Sequence, residues 1–222
     1  LQDWVLYTQN IVCKYYADCI LVHGDKDILP LISDRTRQSN SVQIINDIKH
    51  MLRYTGYVCD ESQPLHKQKN NNIYISTGLN KDEAVIIFKK IAEIAHLYPN
   101  HKFIMPIANK YNSIGGRKNK NIYLVEYVPE LRNKLIDCAG YVTYGGYNAT
   151  VEILKSQIPS IVVPRQSGRK MEQFVRAFTF EPYDYYKVLT MPEFGTIKTV
   201  LDEVVGGYKP QRFKYDIQGT SN

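Results

Sequence analysis

Cysteine is scarce in this chain. Its 222 residues hold four, Cys13, Cys19, Cys59 and Cys138, with no CxxC pair and no Cys/His cluster of the kind that holds zinc. That points to reduced thiols and a cytoplasmic setting. No apolar run is long enough for a membrane-spanning helix, and no secretory leader is recognisable. An aromatic-plus-basic stripe for reading RNA is missing, as are a GxGxxG dinucleotide loop and a Walker loop. No internal repeat is evident. There is also no initiator methionine, and the chain opens inside an apparent helix, so a fragment of a longer protein is expected.

What is present is ordinary for a globular protein, with 44% hydrophobic and 23% charged residues. Lysine and arginine number 28 against 22 acidic residues, a formal charge of +6. An excess of that size suits anionic ligands or peripheral contact with an anionic membrane, and is too dispersed to imply nucleic acid.

The first sixty residues carry few strands. Apolar residues from Trp4 to Tyr15 recur at helical spacing, and Cys19–Val22 is strand-like. Ser33–Ser41 is a polar surface loop, and Tyr54-Thr-Gly-Tyr-Val is a short extended piece. A stretch rich in Gln, Asn, Lys and Ser follows, so 60–72 is expected to be a linker behind the tail of an earlier domain, 1–59.

From Ile73 strands and helices alternate, and 73–222 is expected to be one doubly wound parallel α/β domain. Strands are expected at Ile73–Ser76, Lys102–Met105, Ile122–Val125, Tyr141–Tyr144, Ser160–Val163 and near Lys187. Lys81–Tyr98 has the apolar stripe of an amphipathic helix. Pro129 suits the first turn of another, and Asn148 suits an N-cap.

In such a sheet ligands sit beyond the carboxyl ends of the strands. Three loops there carry suitable chemistry. Ser76-Thr77-Gly78 offers small residues whose N–H groups can face an oxyanion. Gly145-Gly146-Tyr147-Asn148 leads into a helix N-terminus, with unpaired N–H groups and the positive end of the dipole. Glu152, one turn further, can accept hydrogen bonds from both hydroxyls of a ribose. Pro164-Arg-Gln-Ser-Gly-Arg-Lys supplies Arg165 and Arg169 for a diphosphate and leads into Glu172 and Gln173, which can bond sugar hydroxyls. Taken singly, each has a plainer reading: a tightly packed turn, a glutamate that favours the helix dipole, a charged surface loop.

Together, Gly145-Gly-Tyr-Asn-Ala-Thr-Val-Glu152, Pro159-Ser-Ile-Val-Val-Pro164 and Glu172-Gln-Phe-Val-Arg-Ala177 resemble the nucleotide-sugar half of GT-B glycosyltransferases. The similarity is to the family 28 type, which includes the bacterial N-acetylglucosaminyltransferase of lipid-linked peptidoglycan precursors. It covers Ile73 to Val205, with 1–59 as the tail of the acceptor domain. The resemblance implies a Rossmann-like C-terminal half that binds a UDP-sugar, of the UDP-N-acetylglucosamine kind. It also implies hexosyl transfer with inversion to a hydroxyl acceptor, lipid-linked or glycan, without a metal or other cofactor. Glu152 would take the ribose, amides at Thr77, Gly78 and Gly145–Asn148 the diphosphate, backbone at Tyr127 and Val128 the uracil, and Glu172 and Gln173 the sugar. Thr143-Tyr144 stands where the family carries an arginine, so Arg165 or Arg169 would supply that charge.

His23, after the first strand, is the one general-base candidate, although the base of such enzymes usually comes from the acceptor domain. This chain alone would then bind the donor without transferring. A nucleotide-sugar epimerase or hydrolase of the same fold, and a non-catalytic donor-binding half-subunit, stay open as alternatives.

Overall fold

The computed structural model describes residues 15–24, 49–58, 69–76, 81–106, 119–165, 172–214 and 217. The chain divides into two compact units: residues 1–61 with 214–222, and residues 62–213. In the first, β1 (Ile20–Val22) and β2 (Leu52–Tyr54) form a parallel pair with Ile20 beside Leu52. No described helix is long and apolar enough to cross a membrane.

The second unit is built on a six-stranded sheet of β3 (Asn72–Ser76), β4 (Lys102–Pro106), β5 (Ile122–Val125), β6 (Gly140–Thr143), β7 (Ser160–Val162) and β8 (Lys187–Val188). Every pairing is parallel, and the order across the sheet is β5-β4-β3-β6-β7-β8. The helices between strands are α1 (Lys81–Ile94), α2 (Leu131–Leu135), α3 (Tyr147–Ser156) and α4 (Glu172–Phe180), and α5 (Ile197–Val205) follows β8. Parallel strands need crossovers of this length. β6 and β7 are buried along their whole length, whereas β5 at the edge exposes Tyr123 and Leu124, as expected when helices cover both faces of the middle strands.

Strand alternation sorts the core into two layers. Ile73, Ile75, Phe103, Met105, Val142 and Ile161 pack with Ala84, Ile87, Phe88, Ile91 and Ala95 from the α1 segment and with Ile197, Leu201 and Val204 of α5. The spacing on α1 is that of one helix face, which is why its sequence pattern was readable. The opposite faces of β3 and β6 carry Tyr74, Ser76, Tyr141 and Thr143. Burial raises the phenol pKa of Tyr141 and the nearby Glu152 carboxylate of α3 adds a smaller push, so α3 lies on the side of this second layer.

Two helix starts differ from the sequence expectation. α3 begins at Tyr147 with Gly146 as its N-cap, because the turn completes at Gly145; Asn148 is inside the first turn and exposed. α2 begins at Leu131, since Glu130 takes a left-handed conformation (φ 51°) that separates Pro129 from the helix. Expectations on Trp4, on Ser33–Ser41 and on most of 60–72 lie outside the described residues.

One side chain closes the α1 crossover. α1 runs into a 3-10 turn at Ala95–Leu97, and Asn121 Nδ2 donates to the carbonyls of Ala95, Tyr98 and His101 at 2.8, 3.0 and 3.1 Å. Two of these carbonyls also accept backbone N–H groups, Ala95 from Tyr98 and Tyr98 from His101, both at 3.0 Å, so Asn121 adds a second donor to each. Asn121→Ala is expected to lower the unfolding free energy by about 1–2 kcal/mol, the loss of side-chain hydrogen bonds that supplement the backbone ones at this turn. Lys120→Ala, at an exposed neighbour, should change it by about 0.5 kcal/mol or less. Urea unfolding of the two variants side by side checks the contrast.

Candidate functional site

The strand order places β3 beside β6 although two strands, β4 and β5, come between them in the chain, so the chain winds outward in opposite directions from this pair. A crevice beyond their carboxyl ends follows from that reversal. Ser76 and Thr143 are register partners at its floor. The loop after β3 begins with Thr77 and Gly78, which lie outside the described residues. The loop after β6 is Tyr144-Gly145-Gly146.

Gly145 adopts φ +67°, and a Cβ on it would stand 2.6 Å from Val162 Cγ1. Both facts demand glycine: the left-handed conformation penalises a side chain, and β7 leaves no room for one. Its N–H donates to Thr143 Oγ1 at 3.4 Å. Its carbonyl accepts from Thr150 Oγ1 at 3.2 Å and from Arg176 Nη1 at 3.3 Å. A Cβ on Gly146, by contrast, would meet no heavy atom within 4 Å. Gly146 has no side chain with which to cap α3, so the positive end of that helix is turned toward the open side of the loop.

Glu152 is half-buried on α3. Burial holds its carboxyl above the ordinary value of 4.5, and the nearby Arg132 guanidinium offsets part of that rise. Beside it the Tyr141 phenol is pushed up by burial, drawn down by the Thr143 and Ser76 hydroxyls, and pushed up again by the Glu152 carboxylate. A carboxylate and three hydroxyls thus gather under the start of α3. Polar groups so placed can exchange hydrogen bonds with a polyhydroxylated ligand.

After β7, Arg165 Nε stands 3.7 Å from Glu83 Oε2 of α1. The cation expected on this rim is therefore matched by a carboxylate, at a separation too long for a hydrogen bond. Arg169 lies outside the described residues, as does the Glu172 side chain at the head of α4. Gln173 follows it with Oε1 shielded from solvent and, among the described residues, accepting no hydrogen bond. Beyond β5, Tyr127 is exposed and Val128 buried. His23 belongs to the smaller unit, where its Nδ1 lies 2.9 Å from Thr55 Oγ1.

Residue-type reasoning passed over Arg176. It is 6% exposed on α4, with its guanidinium carbon 5.6 Å from the centre of the Tyr147 ring. The signal was available in the spacing: Gln173, Arg176, Ala177 and Phe180 share one helix face, and Ala177 and Phe180 are core residues. A cation in that row must point inward. Tyr141, Glu83 and Arg132 were likewise invisible, because their relevance depends on which strand and helix ends meet.

Gly145→Ala is expected to lower the unfolding free energy by about 2–4 kcal/mol. The left-handed conformation contributes roughly 1–2 and the overlap with Val162 a similar amount. Gly146→Ala, with open space around it, should fall well below that in the same denaturant titration. For Glu152 the sign follows from its raised pKa. The folded chain holds the proton more tightly than the unfolded one, so the charged form costs stability above the raised pKa and nothing below 4.5. Glu152→Gln should stabilise the ligand-free chain at about pH 7.5 and lose that gain as the pH falls toward about 4.5. Urea midpoints of both proteins at the two pH values check it.

No family model and no curated protein matches the sequence. Solved structures do share its fold. The glycotransferase of kitacinnamycin matches with a TM-score of 0.62 and 15% identity over 86% of this chain and 47% of its own. LpCGTa, solved in complex with UDP, matches with a TM-score of 0.58 and 13% identity over 86% of this chain and 46% of its own. A Listeria monocytogenes protein assigned as a UDP-N-acetylglucosamine 2-epimerase matches with a TM-score of 0.54 and 14% identity over 92% of this chain and 70% of its own. The chain spans about half the length of the first two. At these identities the likeness is one of fold: a doubly wound, Rossmann-like α/β unit of the kind found in GT-B glycosyltransferases.

Proposed function

We propose that this chain is the donor-binding part of a glycosyltransferase that transfers a sugar from UDP to a hydroxyl acceptor. The observation that carries the proposal is the pairing of a half-buried carboxylate, Glu152, with an uncapped helix start at Gly145–Gly146, both at the point where the sheet reverses direction. The helix start suits a diphosphate and the carboxylate suits the ribose diol that precedes it. Structures of like fold include one in complex with UDP, one in complex with dTDP and one assigned as a UDP-N-acetylglucosamine 2-epimerase, which supports a nucleotide-sugar donor; UDP and N-acetylglucosamine are the choice proposed here.

Under this reading the diphosphate gains charge as the glycosidic bond breaks. The Gly146 end of α3, with the Thr77–Gly78 amides, stabilises it. Arg165 and Arg169 border the diphosphate and Glu172 and Gln173 the sugar, and the buried Gln173 Oε1 accepts from one of its hydroxyls. Backbone at Tyr127 and Val128 holds the uracil. Transfer inverts the anomeric centre and calls on no metal. The base that takes the acceptor proton comes from the acceptor domain, of which 1–59 is the tail; His23 is the candidate within this chain. The acceptor is a lipid-linked or glycan hydroxyl, reached from the cytoplasmic face of a membrane.

A second reading, a nucleotide-sugar epimerase, draws on the likeness to the Listeria monocytogenes protein. Incubating the intact protein with UDP-N-acetylglucosamine and no acceptor separates the two, since epimerised or free sugar would sink the transferase reading. Within the site, Glu152→Ala is expected to weaken UDP binding by about 1–3 kcal/mol, the loss of a charge-assisted hydrogen-bond pair. Calorimetric titration of UDP checks this, and unchanged affinity in a folded variant removes Glu152 from the site.

A further inference from the structure

We propose that Arg176 is a positioning residue: from behind the glycine turn it sets the orientation of the Gly145–Gly146 peptide, and through that peptide it governs the grip on a diphosphate. This role rests on the UDP-sugar reading above and names a residue which that reading did not use.

Gly145 O accepts from two side chains at once, Arg176 Nη1 at 3.3 Å and Thr150 Oγ1 at 3.2 Å. Both donors are buried, with Arg176 6% and Thr150 1% exposed. The described chain contains no cis peptide, so the Gly145–Gly146 unit is trans and planar. In a trans peptide the C=O and the following N–H point in opposite directions. Two donors that hold the Gly145 carbonyl inward therefore hold the Gly146 N–H outward. Gly146 is also the residue around which space is open. A glycine pair is otherwise the softest place in a chain for a peptide to rotate, so an outward N–H has to be enforced by contacts such as these.

Charge adds to orientation. A guanidinium on the carbonyl polarises the whole amide and strengthens its N–H as a donor. The same group lies 5.6 Å from the Tyr147 ring centre, which ties the first residue of α3 to α4. Tyr186 Oη donates to the Arg176 carbonyl at 3.4 Å, so α4 is itself held in place at this residue. Arg176 lies on the protein side of the peptide, and its effect on a phosphate passes through that peptide. The chain has Thr143-Tyr144 before the glycines, and the arginine behind them supplies positive charge to the same turn.

The test compares UDP with uridine, which differ only in the diphosphate. Both are titrated into the full chain as wild type, Arg176→Met, Arg176→Lys and Thr150→Val, with urea unfolding as the check on folding. Wild type should prefer UDP. Arg176→Met should cut that preference by about tenfold, the weight of one charge-assisted hydrogen bond, while uridine affinity stays within about twofold. Arg176→Lys, which keeps the charge without the planar fork, should recover part of the preference, and Thr150→Val should lower it in the same direction. If Arg176→Met does not fold, Arg176→Lys and Thr150→Val carry the comparison. A folded variant that keeps the wild-type preference, or that loses UDP and uridine equally, overturns the positioning role while leaving the donor-site reading intact. A wild-type chain that takes UDP no better than uridine overturns the donor-site reading, and the role of Arg176 with it.

Discussion

The larger unit turns on the contact between Gly145 and Val162. β6 and β7 are neighbours in the sheet, and the chain leaving β6 has to clear β7 before it can start a helix on the second face. A Cβ on Gly145 would stand 2.6 Å from Val162, and the backbone there takes φ +67°. Only glycine meets both conditions. Because the turn is made in one residue, α3 starts at once, directly above the carboxyl ends of β3 and β6. A wider turn would carry the helix start, and with it Glu152, away from the crevice. The same tight packing that makes the turn possible thus sets where chemistry can occur.

The charges around that crevice are distributed in layers. Glu152 stays on the second face, half-buried with Arg132 near it, so its charge is costly but partly compensated. Arg165 faces Glu83 at 3.7 Å, with the Nε and Oε2 atoms shielded from solvent and, among the described residues, making no hydrogen bond. Arg176 sits behind the turn, against a carbonyl and an aromatic ring. The positive charge hydrogen-bonded to the glycine turn is thus a buried one. The rim, which looked cationic by composition, carries opposite charges in equal number at the pair that is described. A buried arginine hydrogen-bonded to a carbonyl keeps its orientation, which suits it to hold a peptide plane.

Much of the fold was legible from periodicity. The six strands of the large sheet and the apolar stripe of α1 stand within a few residues of where alternation and helical spacing put them. These signals are strong because each element buries one whole face. Helix starts were less legible. Asn148 has the chemistry of a cap, but the backbone conformation of Gly145 and Gly146 decides where the helix begins, and residue type does not report it. Pro129 and Glu130 show the same thing at α2. In the site, Glu152 and the glycine pair could be named from chemistry and local spacing alone. Arg176 could not, because its meaning depends on α4 reaching back to a turn thirty-one residues earlier.

By itself, then, the sequence determined the alternation of strand and helix, the parallel α/β class, and a turn where only glycine serves. Those properties are local: they depend on side chains repeating along one element, or on one residue's conformational freedom. The tertiary structure alone decided the strand order that puts β3 beside β6, the pairing of Arg165 with Glu83, the raised proton affinity of Glu152, and the inward course of Arg176. Each depends on groups distant in the chain sharing a few ångströms of weakly screened space. There, burial and neighbouring charge outweigh what any residue would do alone.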